Sequence, residues 1–263
     1  QVTPMRFAAG VEYDGCGFFG WQRQAEGRTV QGCVETALSK VADHSLNVVC
    51  AGRTDTGVHA TGQVIHFDTA ADRPTSNWLR GANANLPDDI SVQWLVRMDD
   101  TFHARFSATQ RHYRYVIYNH PCRPALLRNH VCWQHAELDA DIMADAGRYL
   151  LGEHDFTSFR AVACQAHSPV RTIHSHEIRR SDRFISIDVI ANAFLHHMVR
   201  CIAGVLIKTG CGEQPPDWVS DVLQAKDRRV SGINASPAGL YLVNVRYPDH
   251  FEVPSGTRLP VFG

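Results

Sequence analysis

Two hydrophobic rhythms interleave along this chain, and the interleaving happens twice. Period-two alternation marks strands, and apolar residues three and four apart mark helices. Up to Met98 the order reads strand, helix, strand, strand, helix, strand. Strands are expected at 6–13, 46–51, 63–68 and 91–98. One helix should follow Thr29, a capping side chain ahead of Val30, Val34, Ala37, Leu38 and Val41, and another should cover 75–84. Residues 99–108 read as a crossing. Beyond it come a strand at 111–119, a helix at 138–151 and a hairpin of 172–180 with 183–190 across Ser181-Asp182. A helix at 194–209, a shorter one at 216–225 and a final strand at 240–246 complete the order. The helix at 138–151 would bury Leu138, Ile142, Met143, Ala146, Tyr149 and Leu150. The shared order predicts two similar α/β halves, 1–105 and 106–263, with a cleft between them of the kind that favours sites.

The 263 residues suffice for one large domain or two small ones. With 44% hydrophobic and 20% charged residues the chain has a soluble globular composition, and no apolar run reaches the length of a membrane span. No secretory signal is expected, and because Gln1 is not an initiator the start is expected to be trimmed. The eight cysteines form no Cys-x-x-Cys pair, and Cys33, Cys50 and Cys201 sit in apolar patterns, so reduced thiols and a cytoplasmic location are expected. His174 with His176, and His196 with His197, have no carboxylate or cysteine at ligand spacing, so no metal is expected.

The stretch most suggestive of chemistry is 52–60, Gly-Arg-Thr-Asp-Thr-Gly-Val-His-Ala. A strand leads in and another leads out, so Asp55 is presented on a sharp loop, two residues from Arg53 and between two glycines. By itself this is a polar turn with a surface ion pair. Other segments give it company. Net charge is −1, yet 101–136 holds no acid and five arginines, Arg105, Arg111, Arg114, Arg123 and Arg128; 156–176 and 189–212 also lack acids. A neutral total can conceal a basic face that steers a polyanion. In Arg111-His112-Tyr113-Arg114-Tyr115, strand periodicity puts Arg111, Tyr113 and Tyr115 on one face and His112 and Arg114 on the other. An aromatic flanked by cations suits a stacked base beside phosphates, although the two tyrosines would also suit a core. In the helix at 194–209, Leu195, Met198, Val199, Ile202 and Val205 form the apolar stripe, while His196, Arg200 and Gly204 share another face. A buried Arg200 would need a carboxylate or phosphate, and Asp55 is the obvious candidate.

The loop 52–60 closely resembles the catalytic loop of the TruA family of tRNA pseudouridine synthases, with Thr56 in place of the usual alanine. So do Glu12-Tyr-Asp-Gly15 with Gly20-Trp-Gln-Arg-Gln24, Asn83-Ala-Asn-Leu-Pro87, Phe102-His-Ala-Arg-Phe-Ser-Ala108 and Arg111-His-Tyr-Arg-Tyr115. Asp155-Phe-Thr-Ser-Phe159, Asn192-Ala-Phe-Leu-His-His-Met-Val-Arg200 and Gly239-Leu-Tyr-Leu242 complete a match that runs in order over nearly the whole chain. The resemblance implies an α+β fold of two mixed sheets related by a pseudo-twofold, with the cleft between them. It implies a homodimer acting on uridine at positions 38 to 40 of tRNA, in the anticodon stem-loop, with no cofactor or metal. Asp55 would be the nucleophile. Arg53 would contact the flipped nucleotide's phosphate or fill its vacated space, Arg200 would pair with Asp55, Tyr113 would stack on the uracil, and Leu240 would wall the pocket. Arg111 and Arg114 would add substrate contacts. The chemistry is coherent: a stacked uridine must leave the helix to expose its glycosidic bond. A carboxylate beside arginine stays ionised, below the free value of about 3.9, and can form a covalent adduct.

Two other readings compete. Asp55-Thr56-Gly57 is the Asp-Thr-Gly of aspartic peptidases, but those need two such loops sharing a proton, and Arg53 disfavours a shared proton. An RNA-binding module without chemistry explains the basic runs but not an acid placed among phosphates.

Overall fold

The computed structural model describes residues 4–161, 164, 166–232, 234–254, 256–260 and 262. The chain forms two compact units, Gln1–Thr109 with Tyr241–Gly263, and Gln110–Leu240. The first division falls four residues later than the sequence suggested, and the C-terminal stretch returns to the first unit.

The first unit contains β1 (Met5–Tyr13), α1 (Val30–Ala42), β2 (Val49–Cys50), β3 (His59–Thr69), α2 (Thr75–Asn85) and β4 (Ile90–Met98). β1 lies between β3 and β4, antiparallel to both, and β2 pairs antiparallel with β3. The end of the chain enters this sheet: Tyr241 and Leu242 pair in parallel with His59 and Ala60. Thr29 caps α1 as expected, its hydroxyl accepting from Gly32 N at 3.3 Å. The stripe Val30, Val34, Ala37 and Leu38 is buried, and Ala42 replaces Val41 as its last member. Phe7, Phe67 and Trp78 form an aromatic core with centroids 5.2–5.8 Å apart. The strand expected over 46–51 shrinks to two residues, and at its start side chains take the donors. Leu46 N donates to Ser39 Oγ and Val48 N to the buried Glu35 carboxylate, while Ala51 N still donates to Val64 O of β3 at 2.8 Å.

The second unit contains β5 (Gln110–Asn119), β6 (Cys132–Gln134), α3 (Ala140–Gly147), β7 (Gly152–Asp155), β8 (Val170–Ser181), β9 (Phe184–Ala191), α4 (Met198–Gly210), α5 (Trp218–Ala225) and α6 (Arg228–Ser231). β5, β9, β8 and β7 run antiparallel in that spatial order, with β6 parallel to β5. The hairpin tip is Asp182-Arg183, since Ser181 pairs with Phe184. α3 is shorter than expected and tightens into a 3₁₀ turn, Arg148–Leu150. Met143, Ala146 and Leu150 stay buried at helical spacing, but Ile142 and Tyr149 fall one position off the stripe and are 36% and 43% exposed. α4 is the apolar centre of this unit. Every residue in it is buried except Arg200, Gly204 and Lys208, which form one stripe at i, i+4 spacing. The expected helix start at Phe194 moves to Met198 because His197 takes a left-handed conformation, φ +65°. His196 therefore lies outside the helix and does not extend that stripe. Among the described residues, no helix is long and apolar enough to cross a membrane.

Two histidines are held neutral by their surroundings. Burial pushes His66 down to about 4, with Arg6 and His103 adding to it and Asp68 opposing. Burial likewise pushes His176 down to about 4 against the pull of Asp188. The unfolded chain would protonate both near their ordinary value, about 6.5. Stability should therefore be constant above that pH and fall as pH drops from about 6.5 to 4, by at most roughly 3 kcal/mol per histidine. Urea midpoints at pH 7.5 and pH 5 check this; equal midpoints would contradict it.

Candidate active site

Asp55 sits at the first position of a tight turn, whose closing bond runs from Val58 N to Asp55 O at 3.1 Å. Gly57 at the third position has φ +78°, the angle a type II turn demands there. The glycine read from sequence is thus a backbone requirement. Arg53 and Thr56 are exposed, while Thr54 is buried and Asp55 half-buried. Arg53 makes no hydrogen bond or ion pair among the described residues, whereas the buried Thr54 hydroxyl meets Tyr13 Oη at 2.8 Å. The loop therefore anchors Thr54 inward and sends Arg53 and Thr56 outward.

The loop is pinned from beneath and beside. Gln63, fully buried on β3, donates to Gly52 O at 2.6 Å and accepts from Gly52 N at 3.4 Å. This closes the loop's entry onto its exit. Trp21 N donates to Thr54 O at 3.0 Å, and the buried Trp21 ring lies 5.9 Å from Tyr13. Gly15 N donates to His59 Nδ1 at 3.0 Å, and His59 stacks on Tyr241 at 4.7 Å. The Glu12–Gly15 and Gly20–Gln24 motifs are thus the supports of the Asp55 turn, a relation that sequence spacing did not reveal.

Gly15 offers a test of that support. A Cβ there would lie 1.9 Å from the Val58 carbonyl oxygen, a backbone atom that moves only with the turn. Gly15→Ala should displace the turn and cut activity roughly 100-fold, the scale of an ångström misplacement. Gly17→Ala, whose Cβ would meet only side-chain ends, Arg28 Nη1 at 3.2 Å and Asp89 Oδ2 at 3.6 Å, is the control. Equal catalytic rates in the two variants would contradict the supporting role.

In the second unit, β5 carries Arg111, Tyr113 and Tyr115 on one face, as alternation predicted. Arg111 Nη1 donates to Asn192 O at 2.9 Å, and Tyr113 meets Phe194 edge-on at 4.9 Å. The 111–115 and 192–200 motifs therefore pack together. Tyr113 is 7% exposed; Tyr115 is fully buried, its hydroxyl donating to Ser236 O at 2.7 Å. Tyr115 is thus a core residue.

Arg114 lies on the opposite face, as alternation also predicted. There β9 sets Asp188 directly across from it. Arg114 Nε and Nη2 bind the two Asp188 oxygens at 3.0 and 2.7 Å, and His112 Nε2 approaches at 2.7 Å. Burial works to raise the Asp188 carboxyl, but hydrogen bonds from His112 and Arg114 outweigh it and hold the carboxyl below its ordinary value. Arg114, expected as a substrate contact, is held here in an ion pair with Asp188.

Arg200 lies in the first turn of α4 and is half-buried. Its Nε donates to Ala235 O at 2.9 Å while Ala235 N donates back to Arg200 O at 3.1 Å. This two-way clasp fixes where the arginine stem leaves the helix. Leu240 is buried and follows a 3₁₀ turn, Pro237–Gly239, capped by Ser236. Neither Asn234, bonded to His197, Cys201 and Arg228, nor Ala235 was singled out from sequence. They carry no periodicity or charge signal, and only the fold gives them their role.

A family model described as tRNA pseudouridine synthase matches residues 9–107 and 146–248. The chain belongs to the tRNA pseudouridine synthase family. It is 55% identical over 258 residues to the tRNA pseudouridine synthase A of Shewanella sp. (strain MR-4), covering 98% of this chain and 99% of the relative. It is 56% identical over 258 residues to that of Alcanivorax borkumensis, covering 98% and 97%. As a member of the family it is an isomerase of uridine in tRNA. Its one large mixed sheet with flanking helices is the α+β architecture that the resemblance implied, in place of the two separate sheets expected. The peptidase and pure-binding readings fall with this assignment.

Proposed function

We propose that this synthase converts uridine to pseudouridine in the anticodon stem-loop of tRNA, at positions 38 to 40, with Asp55 as the nucleophile. The observation that carries the reading is the Asp55 turn itself. A carboxylate is displayed on a loop clamped by Gln63, Tyr13 and Trp21, in the sequence context of the family's catalytic loop. Asp55 forms a transient covalent adduct with the flipped nucleotide, and the bond to Asp55 breaks again before product leaves, freeing the carboxylate. The N1–C1′ bond breaks, the uracil turns, and C5 bonds to C1′. The C5 proton leaves to solvent and N1 regains one, so the base is isomerised with no net gain or loss of atoms.

Tyr113 stacks on the uracil and Leu240 walls its pocket. Arg200 is the counter-charge of Asp55, and Arg53 takes a phosphate of the flipped nucleotide or the space it leaves. Arg111 is a further phosphate contact. Recognition through shape and phosphates is what lets one site serve neighbouring positions. A homodimer and a reducing cytoplasm belong to the same reading; the eight cysteines are free thiols. The test uses tRNA transcript tritiated at uracil C5. Conversion releases the tritium to water in step with pseudouridine formation. Retention of tritium after prolonged incubation would overturn the reading.

A further inference from the structure

The turn joining β4 to β5 is strongly built, yet it displays its largest apolar side chain to solvent. Phe102 anchors it, fully buried against Tyr247 at 5.0 Å and Phe251 at 5.2 Å. Arg6 Nη1 donates to Phe102 O at 2.8 Å. Ala104 is fixed from both sides: its N donates to His66 Nδ1 at 3.0 Å, and its O accepts from Tyr247 Oη at 2.7 Å. His103 then organises the tip. Its Nδ1 accepts from Arg105 N at 3.2 Å and Phe106 N at 3.1 Å, while Ser107 N donates to His103 O at 2.9 Å.

What this frame holds out is Phe106, 76% exposed. Its ring stacks on the His103 ring at 4.3 Å and 28°, and the Arg105 guanidinium lies 5.6 Å from its centroid. An aromatic held rigidly outward beside a cation is a stacking platform with little ordering entropy left to lose.

The platform lies beside the strand that leads into the Asp55 loop, within the same unit: Ala104 N donates to His66 Nδ1, and His66 pairs with Val49 on β2. Arg105 is exposed on the platform and Arg53 is exposed on the loop. Two exposed guanidiniums suit a polyanion rather than an apolar protein surface.

We propose that Phe106 and Arg105 form a second RNA-contact element of this enzyme, Phe106 stacking on an unpaired nucleobase of the tRNA and Arg105 pairing with a phosphate of the same strand. The proposal rests on the tRNA reading above and adds positioning residues to it. The element holds the strand while the target uridine leaves the stack.

The test measures Kd for unmodified tRNA transcript, and KM and kcat for pseudouridine formation, in Phe106→Ala, Phe106→Trp and Arg105→Ala. Phe106→Ala should weaken binding and raise KM roughly ten-fold or more, with kcat and Tm little changed, and Phe106→Trp should restore binding. Arg105→Ala should lower the slope of log Kd against log salt by about one. Wild-type Kd and KM in Phe106→Ala would overturn the proposal while leaving the Asp55 reading intact. So would a changed sedimentation coefficient with unchanged RNA binding, which would assign Phe106 to contact with a second copy of this chain. A wild-type protein that forms no pseudouridine would instead remove the reading on which the proposal rests.

Discussion

Asp55→Asn should abolish pseudouridine formation while tRNA still binds. The rate should drop by at least roughly 10⁴-fold, the scale on which removal of a catalytic nucleophile is felt. The amide keeps the size of the carboxylate but not its charge or nucleophilicity. Among the bonds that shape the loop are the Val58–Asp55 backbone bond, the Tyr13–Thr54 contact and the Gln63 clamp on Gly52. None of these three depends on the charge at 55, so the turn should keep its shape in the variant. Turnover above a hundredth of the parent rate would contradict the nucleophile assignment. Loss of tRNA binding together with activity would show instead that Asp55 supports the fold or the RNA surface.

Asp188→Ala should strongly destabilise the second unit, costing about 3–5 kcal/mol. The carboxylate is 7% exposed and is shared by Arg114 and His112 from the adjacent strand. Its removal leaves a guanidinium largely out of water with no carboxylate, which is why breaking a pair costs more than never having had it. The double variant Arg114→Leu with Asp188→Leu should therefore recover much of the loss. Guanidinium unfolding of the three proteins checks this. A single-variant cost under about 1 kcal/mol, or a double variant no better than the single, would contradict the account. Acid works in the same direction: the depressed carboxyl stabilises the fold above its unfolded value, and that contribution is lost as pH falls toward the folded value.

Periodicity made most of the framework legible. The β1, α1, β4 and β5 segments and the final strand, Leu240–Arg246, emerge within a residue or so of their expected bounds, because each carries an unbroken pattern of one period. The failures have local causes that a pattern cannot contain. Glu35 and Ser39 intercept the donors of the 46–48 stretch. A left-handed His197 delays α4 by a turn, and Ile142 and Tyr149 lie one position off the buried Met143–Ala146–Leu150 stripe.

The candidate site divides in the same way. The Asp55 turn was legible because a glycine-bracketed acid between strands admits few conformations, and Gly57 does take the positive φ. Alternation separated Arg111 from Arg114 correctly, yet it could not say that Asp188 awaited Arg114, since β9 lies more than seventy residues on. Gln63 read as one polar residue in an alternating run; only burial shows it to be the clamp on the loop.

The central claim is that the Asp55 loop performs uridine isomerisation on tRNA. Its most direct measurement is incubation of the protein with unmodified full-length tRNA transcript, followed by site-by-site mapping of pseudouridine, with Asp55→Asn in parallel. The account predicts pseudouridine confined to positions 38 to 40 with the parent protein and none with the variant. Pseudouridine at equal levels with both proteins, or none with the parent, would contradict it.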